Sequence, residues 1–319
     1  MDCGALRSRA LTVEFQVPLP APLDIAGSLE LFRRSGDDLI DRWDGRDLIR
    51  AVPDVQRWVP FVATACSRVE APAFKVRIEA GHPTQQVRAA VASTFVPAPG
   101  DYARLLREDT VLARLDARFP GIRQIRQLDL FTALVRCISA QQVNLRWAVV
   151  TRRRLAEVFG TRHEVCGRVV YALDPHRIAA VNPAEIRALQ FTTSKAVSLV
   201  ATAQAIVDDG LGAENLAGLT DEQVISRLVR IKGIGRWSAE WVLARTLGRP
   251  RVVAGDLGVR KAVGLAYLST PAPTEAEVRA ATAHWGESAG TAQALLLHAL
   301  GEGALSAPGQ PVSRAASRG

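Results

Sequence analysis

Hydrophobic and polar residues alternate along two stretches near the start of the chain. Every second residue is apolar over residues 11–17 and again over residues 74–78, which is the pattern of a strand with one buried face. Residues 55–66 are apolar and β-branched enough for a further strand, although Pro60 predicts an edge position or a bulge there. These stretches together predict a small antiparallel sheet.

Helical periodicity accompanies the strands and dominates the chain after Tyr102. Helices are predicted over residues 24–34 and 84–95, and the Pro- and Gly-rich segment 96–101 then marks a break. A capping box, in which Gln223 follows Thr220 by three residues, opens a helix at Thr220. Long apolar stripes predict further helices over residues 128–149, 194–207 and 275–300.

The change in pattern divides the chain into three parts. Residues 1–108 form a predicted α+β domain with an antiparallel sheet, residues 109–304 an all-helical domain, and residues 305–319 a tail that we expect to be disordered. The 319 residues are enough for two domains with their own cores. The predicted fold class is therefore mainly α, with a small mixed α/β domain before the helical one.

The charge of the chain favours a polyanionic partner, most commonly nucleic acid, because the net charge is +8 and the pI is near 9.9. Only four of the 40 basic residues are lysines, so a coding bias toward arginine accounts for the charge as easily. No apolar run reaches the ~18–20 residues of a membrane span, and the first residues lack the core of a signal peptide. We therefore expect a cytoplasmic protein without membrane contact.

The cysteines are too scattered for a shared structural role. Cys3, Cys66, Cys137 and Cys166 lie far apart, and the chain has no Cys-x-x-Cys pair. This spacing argues against a disulfide framework, a zinc ribbon and an iron–sulfur cluster, and we predict no metal site.

A glycine pair is the most specific local signal. The helix that opens at Thr220 stops at Gly233-Ile234-Gly235, and a new helix starts at once with Trp237. Glycines at these two positions permit positive φ and a turn too tight for side chains, and the N–H groups that begin the second helix are free to bind phosphate. A plain connection between two helices is the alternative interpretation.

An aspartate and two tryptophans are the candidate chemical groups. Asp256 directly precedes an apolar periodic run, so we predict that it caps a helix, where N–H bonds and the helix dipole favour its ionised form. A carboxylate at the mouth of a cleft also suits a cationic sugar transition state. Trp237 and Trp241 share one helix face, which fits either a core or a flat pocket for an extruded base.

A polar stretch interrupts the apolar pattern upstream. Residues 138–144 read Ile-Ser-Ala-Gln-Gln-Val-Asn, with four polar residues inside a strongly apolar helical region. The simpler interpretation is a helix end that faces solvent. The other is a polar tip that enters a nucleic-acid groove.

The order of these motifs resembles the helix-hairpin-helix superfamily of base-excision DNA glycosylases, and within it the DNA-3-methyladenine glycosylase II (alkylbase DNA glycosylase) family. The resemblance spans about residues 10–300 and includes the α/β region before the helices. Its matching segments are residues 119–123, 138–143, 195–196, 233–239 and 254–261.

The resemblance implies a role for each matched residue. Asp256 stands at the position of the catalytic aspartate, and Gln142 at that of the wedge that fills the gap left by a flipped nucleotide. No cofactor is required, although the hairpin carbonyls of this superfamily can hold a monovalent cation. The base pocket is assigned to Trp237, Trp241 and Gln141, and DNA binding to Gln142, Gly233, Gly235, Arg236 and Lys232.

The implied activity is that of a monofunctional DNA glycosylase. It would flip alkylated purines of the 3-methyladenine and 7-methylguanine type out of duplex DNA and hydrolyse their N-glycosidic bond, the first step of base excision repair. Superfamily members that also cut the strand carry a lysine two residues after the second glycine, where this chain has Trp237, so we expect no lyase activity. We expect a monomer associated with the nucleoid, with damaged duplex DNA as its partner.

One segment departs from the family pattern. The last helix of family members carries Trp-x-Pro-aromatic-Arg, whereas residues 285–292 read Trp-Gly-Glu-Ser-Ala-Gly-Thr-Ala. We therefore expect a less aromatic and roomier pocket wall opposite Trp237. The alternative function is a non-catalytic or weakly catalytic protein that binds damaged DNA, which the altered helix favours and Asp256 disfavours.

Overall fold

The computed structural model describes residues 11–54, 57–66 and 68–305. A five-stranded antiparallel sheet in the order β1-β5-β4-β3-β2 forms the first part of the described chain. Its core lies between one sheet face and the two helices that cover it, and includes Leu29, Phe61, Phe74 and Val87. The strands are β1 Thr12–Pro18, β2 Arg42–Trp43, β3 Asp47–Pro53, β4 Trp58–Cys66 and β5 Ala73–Glu79.

The predicted strands are confirmed, but the edge position inferred from Pro60 is wrong. Strand β4 lies in the middle of the sheet, between β3 and β5. Its pairing with β5 starts only at Val62, so Pro60 faces Ala51 of β3 and has no partner residue on β5. The missing N–H of Pro60 therefore removes no hydrogen bond to β5. Residues 55 and 56, which the prediction included, lie outside the described residues.

Helices make up most of the remaining chain. Two helices, α1 Ile25–Arg34 and α2 Thr84–Ala92, cover the sheet. The others are α3 Tyr102–Glu108, α4 Thr110–Arg118, α5 Leu130–Ala140, α6 Leu145–Phe159, α7 Pro175–Ala179, α8 Pro183–Ala188, α9 Thr193–Asp208, α10 Ala213–Ala217, α11 Asp221–Leu228, α12 Arg236–Arg245, α13 Leu257–Val263, α14 Glu275–Thr282 and α15 Ala289–Gly301.

Two of the predicted long helices are broken. The stripe over residues 128–149 is divided into α5 and α6 by a turn in which Gln142 has a φ of 53°. The stripe over residues 275–300 is divided into α14, a 3₁₀ segment Ala283–Ser288 and α15, with Gly286 at a φ of 49°. Apolar periodicity continues across both breaks because each pair of neighbouring helices buries its apolar face in the same core.

The fold class is confirmed, with one departure from an all-helical second part. A hairpin of β6 Thr161–Val165 and β7 Arg168–Ala172 follows α6 and packs on β3 and β4. The boundaries at residues 108 and 304 stay predictions, and residues 306–319 of the predicted tail lie outside the described residues. So does Cys3, whereas Cys66, Cys137 and Cys166 are free thiols. Among the described helices, none is long and apolar enough to cross a membrane.

The helical part has two hydrophobic cores. One lies among α5, α6, α9, α11 and α12, and the other among α3, α4, α13, α14 and α15. The chain passes from the first core to the second through the loop between α12 and α13. Asp256 lies at the end of that loop, so the candidate site stands where the two cores meet.

A buried ionic network joins the sheet to the helices, and no sequence pattern indicated it. The Asp38 carboxylate lies 2.9 Å from the guanidinium groups of both Arg136 on α5 and Arg152 on α6. Asp41 pairs with Arg50 of β3 at 2.6 Å and with Arg136 at 2.9 Å. Burial alone would raise the pKa of Asp38, but Arg136 and Arg152 outweigh it and lower this pKa to about 2.

Acid should weaken this network in a measurable way. A carboxylate whose pKa is lowered in the folded state stabilises the fold above its unfolded pKa of ~3.9, and this contribution disappears as the pH falls toward 2. Asp38→Asn should therefore make the decline of the unfolding free energy between pH 4 and pH 2.5 shallower, by up to ~1.4 kcal/mol per pH unit. Urea denaturation across this range measures the slope.

The neighbouring aspartate provides the control. Asp37 pairs with Arg42 at the surface and is exposed, so Asp37→Asn should keep the wild-type slope. Equal slopes for the wild type and Asp38→Asn would show that the network does not govern acid sensitivity.

Candidate functional site

Asp256 caps α13, as predicted. Its Oδ1 atom accepts hydrogen bonds from the backbone N–H groups of Gly258 at 2.8 Å and Val259 at 3.0 Å. The residue is half-buried, and its carboxylate forms no salt bridge with any described residue. Its second oxygen, Oδ2, accepts no hydrogen bond within the described chain. One oxygen is thus fixed by the helix, and the other is available to a ligand.

The loop before Asp256 is held by buried polar contacts. Gln293 of α15 accepts a hydrogen bond from the N–H of Val253 at 2.8 Å, and the N–H of Asp256 donates to the carbonyl of Val253 at 2.9 Å. The Gln293 amide also lies 3.4 Å from that of Gln124, and both side chains are buried. These hydrogen bonds fix the position of the Asp256 carboxylate relative to α15.

The C-terminal end of α12 is capped by a bridging segment, residues 124–127. The last carbonyls of a helix have no intrahelical partner, and here this segment supplies the donors. Its other edge forms backbone hydrogen bonds with residues 94–96 beside the sheet. Three hydrogen bonds of 2.7 Å reach backbone carbonyls of α12 and its C-cap: Gln124 Nε2 donates to Ala244, the Gln127 N–H donates to Arg245, and Arg126 Nη2 donates to Thr246.

Trp237 and Trp241 lie on the face of α12 near Asp256, and both are half-buried. A Cβ atom placed on Gly255 would lie 3.5 Å from Cδ1 of Trp237, so this indole packs beside the backbone just before Asp256. Arg245 continues the same face one turn later, and its guanidinium carbon lies 5.4 Å from the centre of the Trp241 ring. The structure brings the predicted carboxylate and the Trp237 indole together and adds an arginine that the sequence reasoning missed.

The glycine hairpin is confirmed at its first glycine and corrected at its second. Gly233 has a φ of +85°, and a Cβ atom there would lie 2.6 Å from Cβ of Ser198 on α9. Gly235 has a φ of −99°, and a Cβ atom there would meet nothing within 4 Å. Thus the fold requires glycine only at position 233. The space in front of Gly235 is open, and no side chain caps the first turn of α12.

The polar stretch 138–144 is a helix end packed against this hairpin. Gln141 donates a hydrogen bond from Nε2 to the carbonyl of Gly233 at 3.0 Å, and the buried Lys195 donates from Nζ to the carbonyl of Ser139 at 2.9 Å. Gln142 is exposed beside them. The predicted wedge and the predicted phosphate-binding turn are therefore parts of one surface, although Gln141 serves as a tie between them.

Arg236, which the sequence analysis assigned to DNA binding, is already held in ion pairs within the protein. Its guanidinium pairs with Glu222 at 3.4 Å and with the buried Glu240 at 3.2 Å. Glu240 also meets Arg251 at 3.3 Å and Arg279 at 3.0 Å. This cluster of five charged residues joins α12 to α14. The sequence reasoning missed it because only Arg236 and Glu240 are close together in the chain.

Lys232 is exposed next to the hairpin. It borders a surface groove of about 830 Å³ between α9 and α11, which includes neither Asp256 nor Trp237. Two exposed apolar residues, Leu145 and Trp147, begin α6 just after Gln142. The sequence reasoning missed them, although an apolar pair at the start of a helix beside a polar tip was visible in the pattern.

The segment that departs from the family pattern is a core segment. Trp285 is buried and packs on Tyr267, with ring centres 6.0 Å apart. Ser288, at the place of the family's aromatic residue, is also buried and donates a hydrogen bond to Asp101 at 3.0 Å. The roomier pocket wall stays a prediction. Within the described residues, no group of three or more His, Cys, Asp or Glu side chains is placed to hold a metal ion.

Comparisons with known proteins point to DNA repair. Residues 135–288 match the family described as HhH-GPD superfamily base excision DNA repair protein. A DNA-3-methyladenine glycosylase of Bacillus subtilis is 27% identical over 188 residues, which cover 58% of this chain and 62% of the relative. The chain thus matches about three fifths of the length of that relative.

Solved structures of similar fold extend over more of the chain. A 3-methyladenine DNA glycosylase from Archaeoglobus fulgidus covers 90% of this chain and 98% of its own, with a TM-score of 0.79 and 23% identity. An 8-oxoguanine glycosylase/lyase of Clostridium acetobutylicum, bound to duplex DNA, covers 88% of this chain and 93% of its own, with a TM-score of 0.68 and 18% identity. At these identities the likeness concerns the fold alone.

Proposed function

Because residues 135–288 match the family of HhH-GPD superfamily base excision DNA repair proteins, we propose that this chain belongs to that superfamily and is a DNA glycosylase for alkylated bases. The observation that carries the proposal is the half-buried Asp256 carboxylate, which has one oxygen fixed by α13 and the Trp237 indole beside it. A binding protein without catalysis has no use for a negative charge facing a phosphodiester. The name of the Bacillus subtilis relative supports the alkylated substrate.

DNA binding is assigned to the surface formed by the hairpin and the α5–α6 turn. The uncapped first turn of α12 and the open space at Gly235 suit a backbone phosphate. Gln142 stands beside them as the wedge, and the exposed Leu145 and Trp147 extend the same edge with apolar surface. Lys232 adds positive charge, so affinity should fall steeply with salt. A monovalent cation bound by the hairpin carbonyls would steady this turn, and no other cofactor is invoked.

The extruded base is proposed to stack on Trp237 and Trp241. A purine alkylated at N3 or N7 carries a positive charge, which an indole face attracts by roughly 0.5–2 kcal/mol. As the N-glycosidic bond lengthens, the deoxyribose acquires oxocarbenium character, and the free oxygen of Asp256 stabilises this charge and accepts a proton from the attacking water. An alkylated purine leaves as a neutral base, so the site needs no strong general acid.

The protein hydrolyses the N-glycosidic bond without cleaving the DNA strand. A lyase forms a Schiff base with the abasic sugar and needs an amine in the pocket, where this chain has Trp237. Lys195 of α9 is another amine in the helical part. It is buried and its Nζ donates a hydrogen bond to the carbonyl of Ser139, so it is not free to form a Schiff base. The protein is proposed to act as a monomer on damaged duplex DNA at the nucleoid, in the cytoplasm.

A methylated duplex tests the activity and its type together. The protein should release 3-methyladenine and 7-methylguanine and leave abasic sites that break only after alkali treatment. Borohydride added with abasic duplex should trap no covalent complex, whereas a glycosylase/lyase run in parallel should be trapped. Absence of released base would overturn the glycosylase proposal in favour of a damaged-DNA-binding protein, and a trapped complex would overturn only the assignment without lyase activity.

A further inference from the structure

Arg245 is half-buried and, unlike three other arginines that are largely enclosed by protein, has no carboxylate partner. Arg50, Arg136 and Arg152 each pair with Asp38 or Asp41. The Arg245 side chain forms no salt bridge and donates no hydrogen bond within the part of the chain that the structure describes, and its protein contact is the Trp241 ring at 5.4 Å. An unpaired charge inside a protein is unfavourable unless a ligand or water meets it.

The position of Arg245 places it in the candidate pocket. Trp237, Trp241 and Arg245 follow one another at intervals of four residues and share one face of α12. Burial lowers the pKa of Arg245, and the neighbouring Asp256 carboxylate partly offsets this effect. Arg245 nevertheless keeps some solvent exposure. A ligand can therefore reach this guanidinium from solvent.

The groups around Arg245 limit which partner can bind its guanidinium. Cys137 of α5 is a neighbour of Arg245. Burial raises the pKa of the Cys137 thiol, and the charge of Arg245 lowers it by a smaller amount. A neutral thiol cannot pair with the guanidinium. Asp256 is bound to the N–H groups of α13 and forms no salt bridge with Arg245. The available partner is therefore a molecule that approaches Arg245 from solvent.

The chemistry of a guanidinium selects among nucleobases. It donates hydrogen bonds in a fixed fork, which suits a base edge with two acceptors such as O6 and N7 of an oxopurine. Its positive charge repels a base that is itself a cation, and it already covers one face of Trp241. A neutral purine with a carbonyl at position 6 therefore gains most from Arg245, whereas a cationic purine relies on Trp237.

We propose that Arg245 is a specificity-determining residue of the base pocket, where it binds the carbonyl edge of neutral oxopurines and stabilises them as leaving groups. The inference rests on the proposed glycosylase function. The C1′–N9 electron pair leaves with the base, and its charge spreads onto the O6/N7 edge that faces the guanidinium. Water forms the new C1′–O bond and gives one proton to Asp256. The purine anion takes a proton from solvent and Asp256 returns its proton to solvent, so the net reaction is hydrolysis.

Two duplexes that differ in one base test the proposal. One carries a single hypoxanthine, a neutral oxopurine, and the other a single 7-methylguanine, a cation. With enzyme in excess, the rate of base release in Arg245→Met should fall about 30-fold for hypoxanthine, as expected for the loss of hydrogen bonds to a charged donor. The rate for 7-methylguanine should stay the same or rise. Arg245→Lys, which keeps the charge without the fork, should give an intermediate hypoxanthine rate.

A matched variant separates this role from general packing. Arg88 of α2 lies over the Phe15 ring of β1 at 4.2 Å, outside the proposed site, so Arg88→Met should change neither rate. Equal losses on both duplexes in Arg245→Met, or hypoxanthine release by the wild type that Arg245→Met leaves unchanged, would overturn the proposal. Release of 7-methylguanine but not hypoxanthine by the wild type would also overturn it and leave the glycosylase function standing. Release of neither base would overturn both.

Discussion

Replacing Asp256 with asparagine should reduce base release from a methylated duplex about 10²–10³-fold. Asparagine keeps an oxygen that can accept the N–H bonds of Gly258 and Val259, so the cap of α13 and the fold should survive. What disappears is the negative charge that meets the oxocarbenium-like sugar. Single-turnover rates with enzyme in excess measure this loss apart from any change in DNA affinity.

Another capping aspartate provides the control for Asp256→Asn. Asp174 caps α7 by accepting the N–H of His176 at 2.9 Å, and it belongs to none of the proposed site surfaces. Asp174→Asn should therefore release base at the wild-type rate. Melting temperatures of both variants close to that of the wild type would exclude unfolding as the cause. If Asp256→Asn keeps more than half of the wild-type rate, the catalytic assignment is wrong.

Gly233→Ala should destabilise the protein strongly. An alanine there must adopt the left-handed region at a φ of +85°, which costs roughly 1–2 kcal/mol. Its Cβ atom would also collide with Ser198, and overpacking of this kind costs ~1–3 kcal/mol more. A loss of about 2–5 kcal/mol is a large part of the 5–15 kcal/mol that stabilises a typical domain. Urea denaturation measures it directly.

Gly235→Ala is the informative companion of this variant. Position 235 has an extended backbone and open space around it, so alanine should leave stability within about 0.5 kcal/mol of the wild type. Its methyl group would, however, stand where a phosphate is proposed to approach α12, so duplex affinity should fall. A stable Gly235→Ala protein with wild-type affinity would mean that DNA does not contact this turn.

Sequence patterns within a few residues predicted the helices whose first turns are capped by neighbouring side chains. The capping box at Thr220 and Gln223 is present in full, and Asp256 caps α13. Strand alternation holds over residues 74–78, whose apolar side chains are buried in β5, but over residues 11–17 it predicts the strand without its burial, because Leu11 and Val13 are exposed. Such signals need only interactions within a few residues.

Interactions between distant segments could not be predicted from one sequence. Nothing near Asp38 indicates that Arg136 and Arg152 will surround it, and nothing near Glu240 indicates Arg279. The break at Gln142 was hidden because α5 and α6 bury their apolar faces in the same core. These features depend on tertiary packing, which periodicity does not describe.

The candidate site was predicted in outline from its motifs. The structure brings Asp256 and Trp237 together, and the superfamily resemblance is confirmed over residues 135–288. Gln141 donates a hydrogen bond to the hairpin, and its assignment to the base pocket stays a prediction. Arg245 went unnoticed although its spacing of four from Trp241 was visible in the sequence. A periodicity search restricted to apolar residues overlooks a charged member of the same face.

The bridging segment has a consequence for any attempt to shorten the protein. Its inner edge supports the helix that bears the indoles, while its outer edge is supported by residues 94–96, within the first predicted domain. A fragment cut at residue 109 would keep every proposed site residue but leave this scaffold half-supported, with the end of α12 prone to fray. The smallest usable catalytic fragment has to start upstream of residue 94, however dispensable the sheet looks from a list of active-site positions.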